Sequence, residues 1–178
     1  MLRLRGDKSE HSLVELKARV KDLNSFGKRL AKLKVKCIGS FRQKDTYFEV
    51  PRGRLKLRQI DGDEKVQLIY YERDNVAKPS KSNVFIISLR DAESFKTILE
   101  KILQVKAVVD KTREIYRYEG TQIHLDNVKG LGTFIEFERK TPKDSDLVRE
   151  SRGVLERLMK TLSIEPQSLE KLSYSDLV

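Results

Sequence analysis

The segment TFIEFERK, residues 133–140, decides the fold because its carboxylates alternate with its large apolar residues. In an extended chain successive side chains point to opposite faces, so Glu136 and Glu138 share one face while Ile135 and Phe137 share the other. A charged strand face commonly meets solvent, since antiparallel sheets often bury one side only. The alternative is a polar interior that holds metal ions. The charge pattern of the other strands distinguishes these two structures.

The composition is that of a highly charged globular chain. Of its 178 residues, 38% are apolar and 36% are charged, with a mean hydropathy of -0.54, so one domain with a sizeable core is expected over residues 1–178. The single cysteine, Cys37, excludes an internal disulfide and thiolate-rich zinc sites. No apolar run approaches the ~20 residues of a membrane span. The first residues, MLRLRGDKSE, lack the apolar stretch of a secretory signal, which favours a cytoplasmic protein.

The net charge indicates an anionic partner. Lysine and arginine number 37 against 27 aspartate and glutamate residues, which gives +10. A surplus of this size attracts nucleic acid, anionic lipid or a small phosphorylated substrate. The total does not choose among these three classes, but the positions of the charges do.

Hydrophobic periodicity predicts strands and helices in two similar series. Alternation predicts strands over 13–20, 40–50, 53–60, 66–74, 84–89, 108–118, 121–128 and 132–140. Helical spacing predicts one helix from Asp22 or Asn24 to Gly39, another over 91–104, and helices from about Asp144 to the end, divided at Pro166. Residues 74–83 are predicted to form a polar loop. The order strand, helix, strand, strand occurs twice at an offset of roughly 70 residues, a weak internal repeat.

Side-chain parity gathers ten charged residues on one face of the predicted strands. They are Glu15, Lys17, Lys56, Arg58, Arg73, Lys111, Arg113, Asp126, Glu136 and Glu138. Eight or so strands do not easily remain an open sheet, and the amphipathic helices need an apolar sheet surface to cover. The predicted fold is therefore α+β, a closed or nearly closed antiparallel tunnel with helices packed outside and charges inside.

A tunnel with this lining has a specific chemistry. Buried charges are unfavourable unless they are paired or a ligand completes them, and a polyphosphate with divalent cations does both. Lysine and arginine bind phosphate oxygens, while carboxylates hold Mg²⁺ or Mn²⁺. The chain has no G-x-x-x-x-G-K-[ST] pattern, which disfavours a P-loop ATPase.

Several segments together resemble the CYTH superfamily, named for class IV adenylyl cyclases and thiamine triphosphatases. They are VELKARV, QKDTYFEVPRGRLKLRQ, LIYYERD, KTREIY and HLDNVKGLGTFIEFE, which follow the family's order across residues 12 to about 140. The ending LEKLSYSDLV resembles the family's terminal helix, which places the C-terminal helices at about 144–178. The resemblance implies an eight-stranded antiparallel tunnel that binds a triphosphate through inward Lys and Arg and holds Mg²⁺ or Mn²⁺ through acidic residues.

The family's site residues transfer to this chain by position. The resemblance implies triphosphate contacts from Lys17, Lys56, Arg58, Arg73, Lys111 and Arg113. Within this set it implies a catalytic role for Lys17, Arg58 and Arg113. For the metal it implies Glu15, Asp126, Glu136 and Glu138.

One position departs from the family pattern. The opening signature E-x-E-x-K is here Leu13-Val14-Glu15-Leu16-Lys17, so the first acid is missing. One metal ligand is thereby lost. The loss disfavours a full two-metal site and bears on catalysis itself, and we expect one competent metal rather than none.

The sequence leaves several functions open. The segments YYERDN, KPSKSN and HLDNVKGLG are closest to the adenylyl cyclase branch, which forms cyclic AMP and pyrophosphate from ATP. The alternatives are an inorganic or thiamine triphosphatase and a non-catalytic polyphosphate or nucleotide binder. Nucleic-acid binding is disfavoured because the tyrosines lie within strands, where they are expected in the core rather than exposed for base stacking. We expect a small-molecule triphosphate partner, no membrane, and a monomer or homodimer.

Three further residues have predicted roles of their own. His124 shares parity with Asp126, so it is either a hydrogen-bonded wall residue or a proton carrier. His11 is predicted in an exposed N-terminal tail. Tyr174 is predicted to anchor the final helix rather than to contact substrate.

Overall fold

A closed eight-stranded antiparallel barrel forms the centre of the molecule. The computed structural model describes residues 8–90, 92–142 and 144–178. The strands are β1 (Lys8–Val20), β2 (Lys36–Phe48), β3 (Arg54–Ile60), β4 (Val66–Arg73), β5 (Ser80–Leu89), β6 (Val105–Tyr118), β7 (Thr121–Val128) and β8 (Gly132–Thr141). Their spatial order is β1-β5-β4-β3-β2-β6-β7-β8, and β8 pairs with β1 to close the barrel. The predicted tunnel architecture is confirmed.

The described residues also form three helices and two short turns. The helices are α1 (Leu23–Ala31), α2 (Ala92–Ile102) and α3 (Ser145–Thr161), and the 3-10 turns are Pro166–Ser168 and Tyr174–Asp176. Within the described ranges no helix has the length and apolar character needed to cross a membrane. One strand, one helix and three strands occur in succession twice, from β1 to β4 and from β5 to β8. The repeat predicted from the sequence is therefore present in the element order.

The apolar faces of the strands determine which side of the barrel is outside. Residues of β1, β7 and β8 pack outward against α1 and α3 in one core cluster, which includes Leu16, Leu125, Phe137, Leu30 and Leu155. Burial of each large apolar side chain stabilises the fold by about 1.5–3 kcal/mol. Alternation then turns the charged residues of the same strands toward the barrel interior.

The helices α1 and α3 begin where the sequence provides caps. The Asp22 side chain accepts from the backbone N–H groups of Asn24 and Ser25 at the start of α1. Asp144 does the same for α3, because its side chain accepts from the N–H groups of Asp146 and Leu147. Both interactions satisfy donors that have no partner within the helix.

Three predicted boundaries are wrong. The first helix ends at Ala31 rather than near Gly39, which lies inside β2, because β2 extends to pair with β6. The predicted loop at 74–83 ends earlier, since β5 begins at Ser80. The chain is not helical to its end: after α3 it runs along the barrel, where the Glu170 N–H donates to the Lys17 carbonyl. In these segments the backbone N–H and C=O groups are hydrogen-bonded to a neighbouring strand instead of within a helix.

Candidate functional site

A cavity of about 600 Å³ lies inside the barrel. All six predicted phosphate-binding residues line it, and so do Glu15, Glu136 and Glu138. Among the described residues the lining contains eight basic side chains, Lys17, Lys56, Arg58, Arg73, Lys111, Arg113, Arg117 and Lys140, against three acidic ones, Glu15, Glu136 and Glu138. Strand parity therefore brings the predicted residues into one cationic cavity.

Asp45 on β2 holds two of these bases. Its carboxylate accepts from Arg58 through both oxygens at 2.7 Å and from Lys56 Nζ at 2.9 Å, and it is completely buried. Burial alone acts to raise the pKa of Asp45, but Arg58 and Lys56 hold it well below its usual range. A bidentate ionic contact of this kind fixes the plane of the Arg58 guanidinium.

Asp126 on β7 holds a second pair of bases in the same way. It accepts from Arg113 at 2.7 and 2.6 Å, from Lys111 Nζ at 3.1 Å and from the Tyr174 hydroxyl at 2.8 Å. Burial opposes the charged form of Asp126, yet Arg113 and Lys111 lower its pKa below the usual value. Asp126 is fully buried and does not line the cavity. Its metal role stays a prediction, and these contacts indicate that it positions Lys111 and Arg113.

Sequence reasoning missed Asp45. It has the same parity as Tyr47, which lines the cavity, and it pairs directly with Arg58 in the register of β2 and β3. The alternation of side chains along β2 could therefore have placed Asp45 in the barrel interior. Its function depends on the register across the turn at Pro51–Gly53, which the alternation pattern does not fix.

Glu136 and Glu138 of β8 form an acidic corner with His124 of β7. Glu136 contacts Arg113, and its Oε1 lies 3.4 Å from Lys17 Nζ. Burial acts to raise the pKa of Glu136, but Arg113 and Lys17 hold it well below its usual range. His124 Nδ1 lies 3.8 Å from Glu136 Oε2 and 3.5 Å from Glu138 Oε1. Two carboxylates that converge in a cavity supply the oxygen ligands that Mg²⁺ and Mn²⁺ prefer, so the residues present fit the implied ion.

Glu15 stands apart from this corner. Its Oε1 accepts from Arg73 Nη1 at 2.7 Å, and burial raises the pKa of Glu15 despite the charge of Arg73. Glu15 and Glu138 are paired residues on β1 and β8. In the described structure, however, the group of atoms close enough to share an ion comprises Glu136, Glu138 and His124. Of the four predicted metal ligands, the structure thus brings two together.

The C-terminal segment forms part of the cavity wall. Tyr174 is buried, and Lys17 Nζ lies 3.7 Å from the centre of its ring while donating to the Leu172 carbonyl at 3.1 Å. The Tyr71 and Ser173 hydroxyl oxygens lie 3.1 Å apart. Tyr174 therefore anchors the chain end, although it lies in a 3-10 turn rather than a helix and also lines the cavity. That it does not contact substrate stays a prediction.

The cavity also has an apolar wall. Leu13, which replaces the missing acid, packs with Ile69 and Val84, and Ile86 adjoins them. All four line the cavity. His11 also lines it, so the prediction of an exposed tail is wrong: β1 begins at Lys8 and carries His11 into the barrel.

Lys56 is a cavity base whose charge depends on pH near neutrality. Burial and then Arg58 lower its pKa to about 7 against the favourable charge of Asp45. A bound polyanion favours the ammonium form, so binding at pH 8 is expected to take up close to one proton. Calorimetric titration with tripolyphosphate in two buffers of different ionisation enthalpy measures this uptake. Lys56→Arg, which is permanently charged, is the control, and equal uptake by both proteins would contradict the expectation.

The chain is similar to several known proteins. A family model for the CYTH domain matches residues 12–174. The chain is 33% identical over 177 residues to a Methanocaldococcus jannaschii protein named as a candidate adenylate cyclase, with coverage of 92% of this chain and 97% of that relative. The solved structure of a hypothetical protein from Pyrococcus furiosus is similar with a TM-score of 0.83 at 24% identity, covering 93% and 99% of the two chains. A candidate adenylyl cyclase from Hippeastrum, described as having a dominant triphosphatase activity, has a TM-score of 0.60 at 16% identity, covering 94% and 93%.

Proposed function

Because the chain belongs to the CYTH domain family, we propose that it is a metal-dependent enzyme that acts on an organic triphosphate, converting ATP to cyclic AMP and pyrophosphate. The observation that carries this proposal is the two-sided cavity. Its bases suit a triphosphate, and its apolar wall of Leu13, Ile69, Val84 and Ile86 suits an organic group. The named relative from Methanocaldococcus jannaschii favours the cyclase reaction.

The basic side chains of the cavity are already oriented before phosphate binds. Asp45 and Asp126 fix Arg58 and Arg113, so each guanidinium can donate to phosphate oxygens without reorganising. Lys17, Lys56 and Lys111 add further basic groups from β1, β3 and β6. These residues would bind and orient the triphosphate and stabilise the negative charge that shifts during transfer.

The acidic corner would hold the divalent cation. Glu136 and Glu138 are its ligands in this proposal, and Mg²⁺ or Mn²⁺ bound there would neutralise charge on the phosphate oxygens. Lys17 and Arg113 contact Glu136 in the described structure and keep its carboxylate ionised and oriented. Glu15, held by Arg73, lies next to Glu138 on the neighbouring strand and adds negative charge to this side of the cavity.

Hydrolysis of the triphosphate is the second candidate. The Hippeastrum protein shares the fold and is described as having a dominant triphosphatase activity. In that reaction the attacking group is water at the γ-phosphorus, whereas in the cyclase reaction it is the ribose 3′-oxygen at the α-phosphorus. The same bases and cation serve both reactions, and the position of the nucleophile differs.

A product assay separates the candidates. Purified protein is offered ATP, thiamine triphosphate or inorganic triphosphate with Mg²⁺ or Mn²⁺. Cyclic AMP with pyrophosphate supports the cyclase, and orthophosphate supports the triphosphatase. Tight, metal-assisted binding without turnover would overturn both in favour of a binding protein. Binding to long nucleic acid that weakens steeply with salt and does not depend on metal would instead indicate a nucleic-acid site.

The apolar wall predicts a specificity effect. Ile86→Ser is expected to raise KM for the preferred organic triphosphate about tenfold, because it removes an apolar contact of roughly 1–2 kcal/mol. Ile86 is partly buried and lines the cavity, so the change leaves the main core intact. Inorganic triphosphate is the matched control, and its dissociation constant should not change. Equal weakening of both ligands would contradict an organic subsite at this wall.

A further inference from the structure

We propose that His124 is a ligand of the divalent cation, completing with Glu136 and Glu138 the site that Leu13 leaves short of one oxygen. The inference deepens the proposed function, because it concerns the metal of that site. It does not depend on which reaction the protein catalyses.

The first support is geometric. One ligand atom from each of His124, Glu136 and Glu138 can be chosen so that all three lie within 4.8 Å of one another. Atoms that share one ion at about 2.1 Å lie no more than roughly 4.3 Å apart. Small side-chain shifts therefore suffice to bring the three atoms around one cation.

The second support is an unused nitrogen. His124 is 3% exposed, yet its Nδ1 is buried without a hydrogen-bond partner among the described residues. A separation of 3.5 Å from Glu138 Oε1 is too long for a good hydrogen bond. Buried polar atoms are normally satisfied, so an orphaned nitrogen that faces two carboxylates indicates a missing positive partner.

The third support is the orientation of the imidazole. His124 Nε2 lies 3.2 Å from the Gln122 side-chain oxygen, which can only accept. Nε2 therefore donates to Gln122, and Nδ1 faces the carboxylates of Glu136 and Glu138. A metal ion placed between Nδ1 and these two carboxylates would be bound by all three groups. Fixing of one ring nitrogen by a hydrogen-bond acceptor is the usual arrangement of histidine ligands.

The strand register explains why this side of the barrel supplies the nitrogen. His124 pairs directly with Glu136 across β7 and β8. Leu13 pairs with Lys140 across β1 and β8 and packs into the apolar wall. Glu15 is held by Arg73. The available metal ligands thus lie where β7 pairs with β8, and not where β1 pairs with β8.

A nitrogen ligand changes the expected metal preference. Mg²⁺ favours oxygen donors, whereas imidazole binds transition metals well. We expect Mn²⁺ to bind more tightly than Mg²⁺, and Co²⁺ more tightly than Mn²⁺, in line with the general order of affinities. An all-oxygen site would not show the same dependence on His124.

The test uses the two histidines of the chain as a matched pair. Untagged protein without substrate is loaded with Mn²⁺, and electron spin echo modulation detects ¹⁴N nuclei bonded to the ion. The modulation is expected in the wild type and in His11→Gln, whose imidazole lines the same cavity, and is expected to be lost in His124→Gln. The Mn²⁺ dissociation constant should rise at least tenfold in His124→Gln, and circular dichroism checks that each variant folds.

The outcomes separate this inference from the proposed function. Mn²⁺ bound to the wild type without nitrogen modulation, or modulation that persists in His124→Gln, overturns the ligand assignment even if the protein turns over ATP. Modulation that depends on His124 supports it even if no triphosphate is cleaved. Failure of the wild type to bind Mn²⁺ at millimolar concentration, with or without tripolyphosphate, overturns both.

Discussion

Glu138→Gln is expected to lower kcat at least 100-fold while leaving the thermal unfolding midpoint nearly unchanged. The Glu138 carboxylate meets His124 at 3.5 Å and Arg113 at 4.0 Å, and its side chain is 30% exposed. It therefore contributes little to packing, and its charge serves the proposed cation. Loss of a carboxylate ligand removes charge stabilisation that is used in the transition state, which is commonly worth 10²–10³ in rate.

The matching variant Glu136→Gln distinguishes catalysis from folding. It should abolish turnover as well, but with a measurable loss of stability, because Glu136 contacts Arg113 and Lys17 in a buried position. Glu64→Gln, in an exposed turn, is the neutral control. Steady-state kinetics and thermal scans on the three proteins provide the comparison. Full activity in both cavity variants would refute the metal assignment.

Asp45→Asn is expected to lower the free energy of unfolding by about 3–5 kcal/mol, the usual cost of removing one partner from a buried ionic cluster. Asp45 is completely buried and is hydrogen-bonded to both Lys56 and Arg58. The variant leaves the buried Arg58 guanidinium beside Lys56 with no counter-charge from Asp45. For a chain of this size the unfolding midpoint should fall by roughly 10 °C. Thermal and denaturant unfolding measure the change.

The pH dependence of this effect has a definite sign. The pKa of Asp45 is lowered in the folded protein, so its contribution to stability is present above the unfolded pKa of about 4 and is lost as the pH falls below it. The difference between wild type and variant should therefore narrow in acid. Tripolyphosphate should partly restore the variant by supplying the missing counter-charge. Asp110→Asn, which removes a contact to the exposed Arg42, should change the midpoint little.

The architecture could be predicted because alternation assigns a face to every strand residue. Within their strands, Glu136, Glu138, Lys17 and Arg113 all lie on the charged face. One closed barrel with this face inside accounts for all four. Parity does not give distances along the barrel. It therefore grouped Glu15 and Asp126 with the acidic corner, although Glu15 binds Arg73 and Asp126 is occupied by Lys111, Arg113 and Tyr174.

The residues that were missed depend on tertiary contacts. Asp45 acquires its role from the register between β2 and β3, and the orphaned Nδ1 of His124 is visible only once β7 and β8 are paired. The end of α1 was misplaced because β2 extends to pair with β6, and strand pairing outweighed the local helical pattern there. Helix prediction likewise failed after Thr161, where the chain instead follows the barrel and its end enters the cavity wall.

The two carboxylate-anchored pairs of bases have a consequence for ligand direction. Lys56 with Arg58 on β3 and Lys111 with Arg113 on β6 lie on either side of β2, and each pair is held by one aspartate. The two pairs offer the same kinds of donor, one ammonium and one guanidinium, so they do little to distinguish one end of a bound triphosphate from the other. Head and tail differ only for a ligand with an organic end, so the apolar wall and the acidic corner, not the bases, select which phosphorus faces the nucleophile.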